Sequence, residues 1–330
     1  MPSEKLLNVF TDGPNVMKSL KKKIEETYPN ALDIGTCNLH VIHNGFAKGL
    51  ENFCGDVEGL VIDLYYFFKR SATQSEKLRE MQVKLGLPEH VLLRHVDNRW
   101  LTLNLSVQRF IEQFSILKEF FSGKKEAETV EVSKFKKLCE AFSSKTLLPK
   151  ALFLKNISGI FIKTQSLFQK NEPLIHILYD EHNQLLRTLM GRFMRTQSYL
   201  SVEDLTTIDV EKGELWLHTP EVGADTEIEL KKIAKSDRKS FYLGARSFYI
   251  NCTKYLLNKL PLQNVLLKNL KFLHPLYITE PSSVKCLKTI LALTQFKIPP
   301  DKVSRVIDEW LHLQTEDIVN CVDEKSPTVF

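Results

Sequence analysis

The segment Leu6-Leu7-Asn8-Val9-Phe10-Thr11-Asp12-Gly13-Pro14-Asn15-Val16-Met17 places a carboxylate where one periodicity gives way to another. The apolar run 6 to 10 reads as a buried strand, and the residues from 14 to 28 carry a helical pattern. Asp12 therefore falls at a strand end just ahead of a helix, a usual position for a carboxylate that does chemistry. Further strands are expected around 32 to 36 and over 91 to 96, with helices over 38 to 52, 55 to 69 and 71 to 85. In the helix over 55 to 69, Val57, Leu60, Val61, Leu64, Phe67 and Phe68 recur at three- and four-residue spacing, the stripe of a helix buried on one face. Strands alternating with helices imply a small α/β part over residues 1 to 97.

Beyond residue 98 the pattern becomes almost continuously helical. One helix is expected over 98 to 121 with Leu101, Leu105, Phe110, Phe114, Leu117 and Phe121 on its apolar face; others follow near 131 to 142, 147 to 170 and 172 to 195. Residues 196 to 227 interrupt them with polar turns, a strand-like Leu215-Trp216-Leu217 and Pro220-Glu221-Val222-Gly223. A long helix is expected from 228 to 259, then two more over 282 to 296 and 301 to 316, separated by Pro299-Pro300. The fold class is thus mostly α, with a helical domain over 98 to 317 and a loose tail over 318 to 330.

The chain has 330 residues, a hydrophobic fraction of 43% and a charged fraction of 26%, values of a globular protein. No window holds the roughly 20 apolar residues that a membrane helix needs, and the first residues lack a signal-peptide pattern. An intracellular protein without membrane contact is expected. Six cysteines are scattered without a close C-x-x-C pair, which suits free thiols. The formal charge of +5 permits contact with nucleic acid without demanding it. The densest basic run, Lys18-Ser19-Leu20-Lys21-Lys22-Lys23, reads as a solvated helix face, or as a weak nuclear-import or phosphate patch.

Thr11-Asp12-Gly13-Pro14-Asn15-Val16-Met17, the C-x-x-H of Cys37-Asn38-Leu39-His40 and the later Arg99-Trp100 together make a chain that resembles the hAT superfamily of DNA transposases and the genes domesticated from them. The resemblance implies a ribonuclease-H-like lobe interrupted by a large helical insertion, here with the lobe incomplete. It implies that Asp12 matches the second acid of a three-acid site. Such sites need three carboxylates, because two Mg²⁺ or Mn²⁺ ions about 4 Å apart must activate the attacking oxygen and stabilise the leaving one. Glu4 is the sole acid ahead of Asp12, and no Ser-Glu-Arg type motif follows the helical region, where Asp308-Glu309-Trp310 stands. The expectation is a vestigial Asp12, no cofactor, and a protein that binds DNA or other proteins rather than one that cuts DNA. The alternatives are a metal-dependent nuclease in which Asp56, Asp63 or Glu309 completes the site, and a helical protein-binding scaffold.

In the family, a matching Arg-Trp holds a flipped base, so the resemblance makes Arg99 and Trp100 candidate DNA contacts; the plain reading of Trp100 is a helix start. Cys37 and His40 are expected to be structural. With His43 and Cys54 they also invite a zinc reading, although C-x2-H-x2-H-x10-C matches no common zinc module. A second candidate DNA contact is the basic stripe Lys231, Lys235, Arg238 and Lys239, which could track a phosphate backbone or form a solvated helix face. No G-x-S-x-G, no phosphate loop and no H-E-x-x-H occurs.

Overall fold

A computed structural model describes residues 15 to 28, 37 to 96, 100 to 122, 132 to 293 and 298 to 316. The chain is mostly helical. Its helices in order are α1 (Asn15–Thr27), α2 (Asn38–Asn52), α3 (Gly55–Arg70), α4 (Ala72–Lys84), α5 (Trp100–Glu112), α6 (Phe114–Ser122) and α7 (Val132–Ser143). They continue with α8 (Leu147–Phe168), α9 (Leu178–Met190), α10 (Ala224–Leu230), α11 (Lys235–Lys259), α12 (Val265–Asn269), α13 (Ser282–Leu291) and α14 (Pro300–Leu313). No helix among the described residues is long and apolar enough to cross a membrane.

The stripe on α3 is buried as its spacing requires: Val57, Leu60, Val61, Leu64, Phe67 and Phe68 all face the core. Among the described residues the most extensive helix pairing is that of α2 with α11. Gly45 and Gly49, one turn apart on α2, make this possible, because a Cβ at Gly49 would lie 2.7 Å from the Phe248 ring and one at Gly45 would lie 2.6 Å from Leu256. Around this seam the aromatic rings meet edge to face, Phe46 with Phe161 at 4.9 Å between centroids, Phe46 with Phe248 at 5.6 Å and Phe153 with Phe248 at 5.5 Å. Each such pair adds about 0.5–1.5 kcal/mol beyond the area it buries. One hydrophobic core runs from Val41 to Leu262 and so crosses residue 97. A smaller cluster joins Leu178 to α12 and α13, with Phe272 and Trp310 in contact at 4.8 Å.

Several expectations need correction. Residues 91 to 96 form no strand: Leu92 and His95 are buried three residues apart rather than in alternation, and the neighbouring backbone groups bond to side chains rather than to a partner strand. Gln82 Nε2 donates to His90 O, Arg109 to Val91 O and Ser106 Oγ to Leu93 O, which satisfies those carbonyls without a ladder. The helix over 98 to 121 is two helices, interrupted at Gln113, whose buried Oε1 accepts from Gln82 Nε2 at 2.6 Å. Its buried face carries Leu103, Val107 and Phe110, while Leu105 is exposed. The helix over 228 to 259 is broken after Leu230, because α10 packs on α8 whereas α11 packs on α2, and Ala234 turns the chain in extended conformation. The expected strands over 6 to 10 and 32 to 36 lie outside the described residues. The strand-like Leu215-Trp216-Leu217 is a single antiparallel bridge, Met194 with Trp216, flanked by Arg195 N to Leu215 O and Leu217 N to Phe193 O, both 2.8 Å.

Candidate nucleic-acid interface

The basic face of α11 is built by helical spacing. Lys235, Arg238, Lys239, Tyr242, Leu243 and Arg246 stand at i, i+3, i+4, i+7, i+8 and i+11, so they share one side while Phe241, Ala245, Phe248 and Cys252 are buried on the other. With His218 and Thr219 from the preceding loop, those six residues line a cavity of about 570 Å³, and no carboxylate is among its lining residues. Arg246 anchors the wall: its Nη2 donates to Leu217 O and to His218 O, both at 2.8 Å, and its guanidinium lies 5.1 Å from the centre of the Trp216 ring. Trp216 is itself held by Nε1 donating to Val210 O at 2.9 Å.

The electrostatics of the cavity follow from this packing. Burial holds the Arg246 pKa below its ordinary value, and among the described residues its guanidinium donates to neutral carbonyls. The Nε groups of both Arg238 and Arg246 are buried without an acceptor among the described residues. Tyr242 donates to Glu227 Oε2 at 2.7 Å, and burial followed by that carboxylate pushes its hydroxyl up to about 12. Glu227 does not line the cavity, but its carboxylate is hydrogen-bonded to a residue that does. The first turn of α11 has no side-chain cap at Ala234 and carries the carboxylate of Asp237. A concave surface of cations is suited to an oxyanion.

Of the stripe read from the sequence, Lys235, Arg238 and Lys239 come together here; Lys231 sits exposed just past the end of α10 and does not line the cavity. Arg246, Tyr242, His218 and Thr219 are not evident from the sequence reading. A signal for Arg246 is nonetheless present, because it continues the Lys235 register by three further turns of the helix.

The other candidates are dispersed. Asp12 and Arg99 lie outside the described residues, and Trp100 opens α5. Cys37 is half-buried at the cap position of α2, where its carbonyl accepts from His40 N and Val41 N, both at 3.1 Å. His40 is exposed, its ring 6.2 Å from that of His43, whose pKa is lowered by burial and then by His40. Cys54 is buried with its thiol toward Lys150 O at 3.8 Å, and burial pushes that thiol up. Among the described residues no three His, Cys, Asp or Glu groups converge to hold a metal ion. The acids that could partner Asp12 each meet a separate cation: Asp56 with Lys150 at 2.6 Å, Asp63 with Lys137 at 2.7 Å and Glu309 with Arg305 at 2.8 Å.

His95 has a structural partnership that its sequence spacing to Asp97 does not suggest. Its buried ring places Nε2 3.1 Å from Glu58 Oε1 and Nδ1 2.9 Å from Thr102 Oγ1, and Val96 N also donates to that hydroxyl. The three groups tie α3, the 87 to 96 segment and α5 together. Comparison of the chain with protein-family models, with characterised proteins and with solved structures finds no match.

Proposed function

We propose that this chain is a transposase-derived protein of hAT type that has lost catalysis and acts by binding, with the α11 cavity holding the phosphate backbone of DNA. The observation that carries this reading is the convergence of Lys235, Arg238, Lys239 and Arg246 on a concave face lined by no carboxylate. Phosphates supply the negative charge this surface lacks, and each contact releases counterions from DNA. The ancestry rests on the Asp12, C-x-x-H and Arg99-Trp100 signatures. On this reading the segment around Asp12 descends from a ribonuclease-H-like lobe, and the helices after residue 100 correspond to the insertion. Asp56, Asp63 and Glu309 each pair with a separate lysine or arginine, and Asp12 lies outside the described residues.

The test is a salt titration of binding to a labelled DNA duplex, read by fluorescence anisotropy. The wild type should weaken steeply with salt, and a Lys235→Gln/Lys239→Gln variant should show a slope shallower by about 0.9 for each phosphate that is no longer neutralised. Superimposable curves for the two proteins, or no binding by either, would remove the reading.

A further inference from the structure

Arg246 differs from the other cations of the α11 cavity in where its bonds go. Its Nη2 donates to Leu217 O and His218 O, its Nε is buried, and its guanidinium lies 5.1 Å from the centre of the Trp216 ring. Trp216 is in turn fixed by its bridge to Met194 and by its bond to Val210 O. Lys235 and Lys239, by contrast, stand exposed on the same face of the helix. We infer that Arg246 is a positioning residue rather than a phosphate contact: it holds the 217 to 219 loop at the cavity rim, where the Thr219 hydroxyl adds an uncharged donor to the cations of α11. This rests on the DNA-binding reading above.

The loop needs such a post. Upstream, Leu217 N donates to Phe193 O at 2.8 Å; downstream, Glu221 N donates to Arg192 O and Glu221 O accepts from the Tyr249 hydroxyl, both at 2.7 Å. Between these anchors His218 and Thr219 are exposed, and Pro220 has no N–H to donate. Among the described residues the single hydrogen bond from this span to α11 is that of Arg246 to His218 O, at 2.8 Å. Thr219 lines the cavity beside Lys235, Arg238 and Lys239. A hydroxyl that meets an anionic oxygen makes a charge-assisted hydrogen bond without adding charge of its own. Position 246 in turn requires a planar group, because a guanidinium lies over an indole face and forks between two carbonyls, whereas an ammonium is a compact point charge.

The experiment measures binding of the full chain to a labelled duplex over a range of salt concentrations, for the wild type, Arg246→Lys, Thr219→Val and the double variant. Arg246→Lys keeps the charge and loses the planar fork, so affinity should fall about tenfold while the salt slope stays that of the wild type. Thr219 is exposed, so Thr219→Val should fold normally and lose a comparable factor, again with the slope unchanged. The double variant should bind no more weakly than the weaker single one, because Arg246 acts through the loop that carries Thr219. In the protein without DNA, Arg246→Lys should shift the NMR resonance of the Trp216 indole N–H.

Wild-type affinity in Arg246→Lys or in Thr219→Val would overturn the positioning role and leave the DNA-binding reading standing. Losses that add in the double variant would make Arg246 an independent phosphate contact, with the same consequence. No binding of the wild type to the duplex would remove both.

Discussion

Acid should destabilise this protein through His182, and the size of the effect follows from its surroundings. His182 lies on α9 with 1% of its surface exposed, its ring 6.1 Å from that of Phe168, and its Nε2 has no partner among the described residues. Burial lowers its pKa from 6.5 to about 3. The folded state therefore holds the imidazole neutral at pH values where the unfolded chain would already have protonated it. With the folded pKa depressed, protons bind preferentially to the unfolded state, so stability is lost as pH falls below the unfolded value and the loss levels off only near the folded one. Two pH units below the unfolded value, the cost is about 3 kcal/mol at 1.36 kcal/mol per unit, a large part of a typical total of about 5–15 kcal/mol.

The assay is urea unfolding of the wild type and of His182→Leu at neutral pH and near pH 4.5. Carboxylates and the other histidines titrate in both proteins, so the difference between them isolates His182. The wild type should lose about 3 kcal/mol more than the variant over this interval. Stability curves that run parallel would refute the reasoning. His43 and His274, whose pKa values burial also lowers, add acid lability that the two proteins share.

Other perturbations test the packing and the site. Gly49→Ala forces a methyl group against the Phe248 ring and should cost about 1–3 kcal/mol in thermal or chemical unfolding; an unchanged melting temperature would mean that α2 and α11 do not meet as closely as described. Phe153, fully buried among Phe53, Phe241, Phe248 and Tyr249, should cost about 3–5 kcal/mol when changed to Ala, read by the same unfolding measurement. Thr102→Val removes the hydroxyl shared by His95 and Val96 N and should cost about 1–3 kcal/mol, with the His95 ring resonances shifting in the NMR spectrum. Supercoiled plasmid incubated with the protein and Mg²⁺ or Mn²⁺ should remain intact; nicking that disappears in Asp12→Asn would establish a working metal site and overturn the loss of catalysis.

Helix positions are largely legible in the sequence because they depend on local spacing. The α3 stripe is readable residue for residue, and α2 begins and ends where its pattern does, since three- and four-residue recurrence is a property of a short window. Residues 91 to 96 mislead because a short apolar stretch marks burial, here of Leu92 and His95, and not backbone hydrogen bonding. Whether such a stretch becomes a strand depends on a neighbouring backbone, and here side chains from α4 and α5 take those carbonyls. The break after Leu230 is invisible for a related reason. Apolar spacing continues through it, and only the need to pack α10 on α8 and α11 on α2 turns the chain.

The sequence alone determined that the chain is mostly helical, which faces of α3 and α11 are apolar, and that a basic stripe accompanies α11. Local periodicity and charge spacing suffice for these. The tertiary structure decided that Lys235, Arg238 and Lys239 join Arg246, His218 and Thr219 around one cavity while Lys231 stands apart. It also decided that Glu58, His95 and Thr102 form a buried network and that His182 is enclosed with no partner for its Nε2 among the described residues. These depend on which residues distant in sequence are brought within hydrogen-bonding range, and that is set by packing of the whole core.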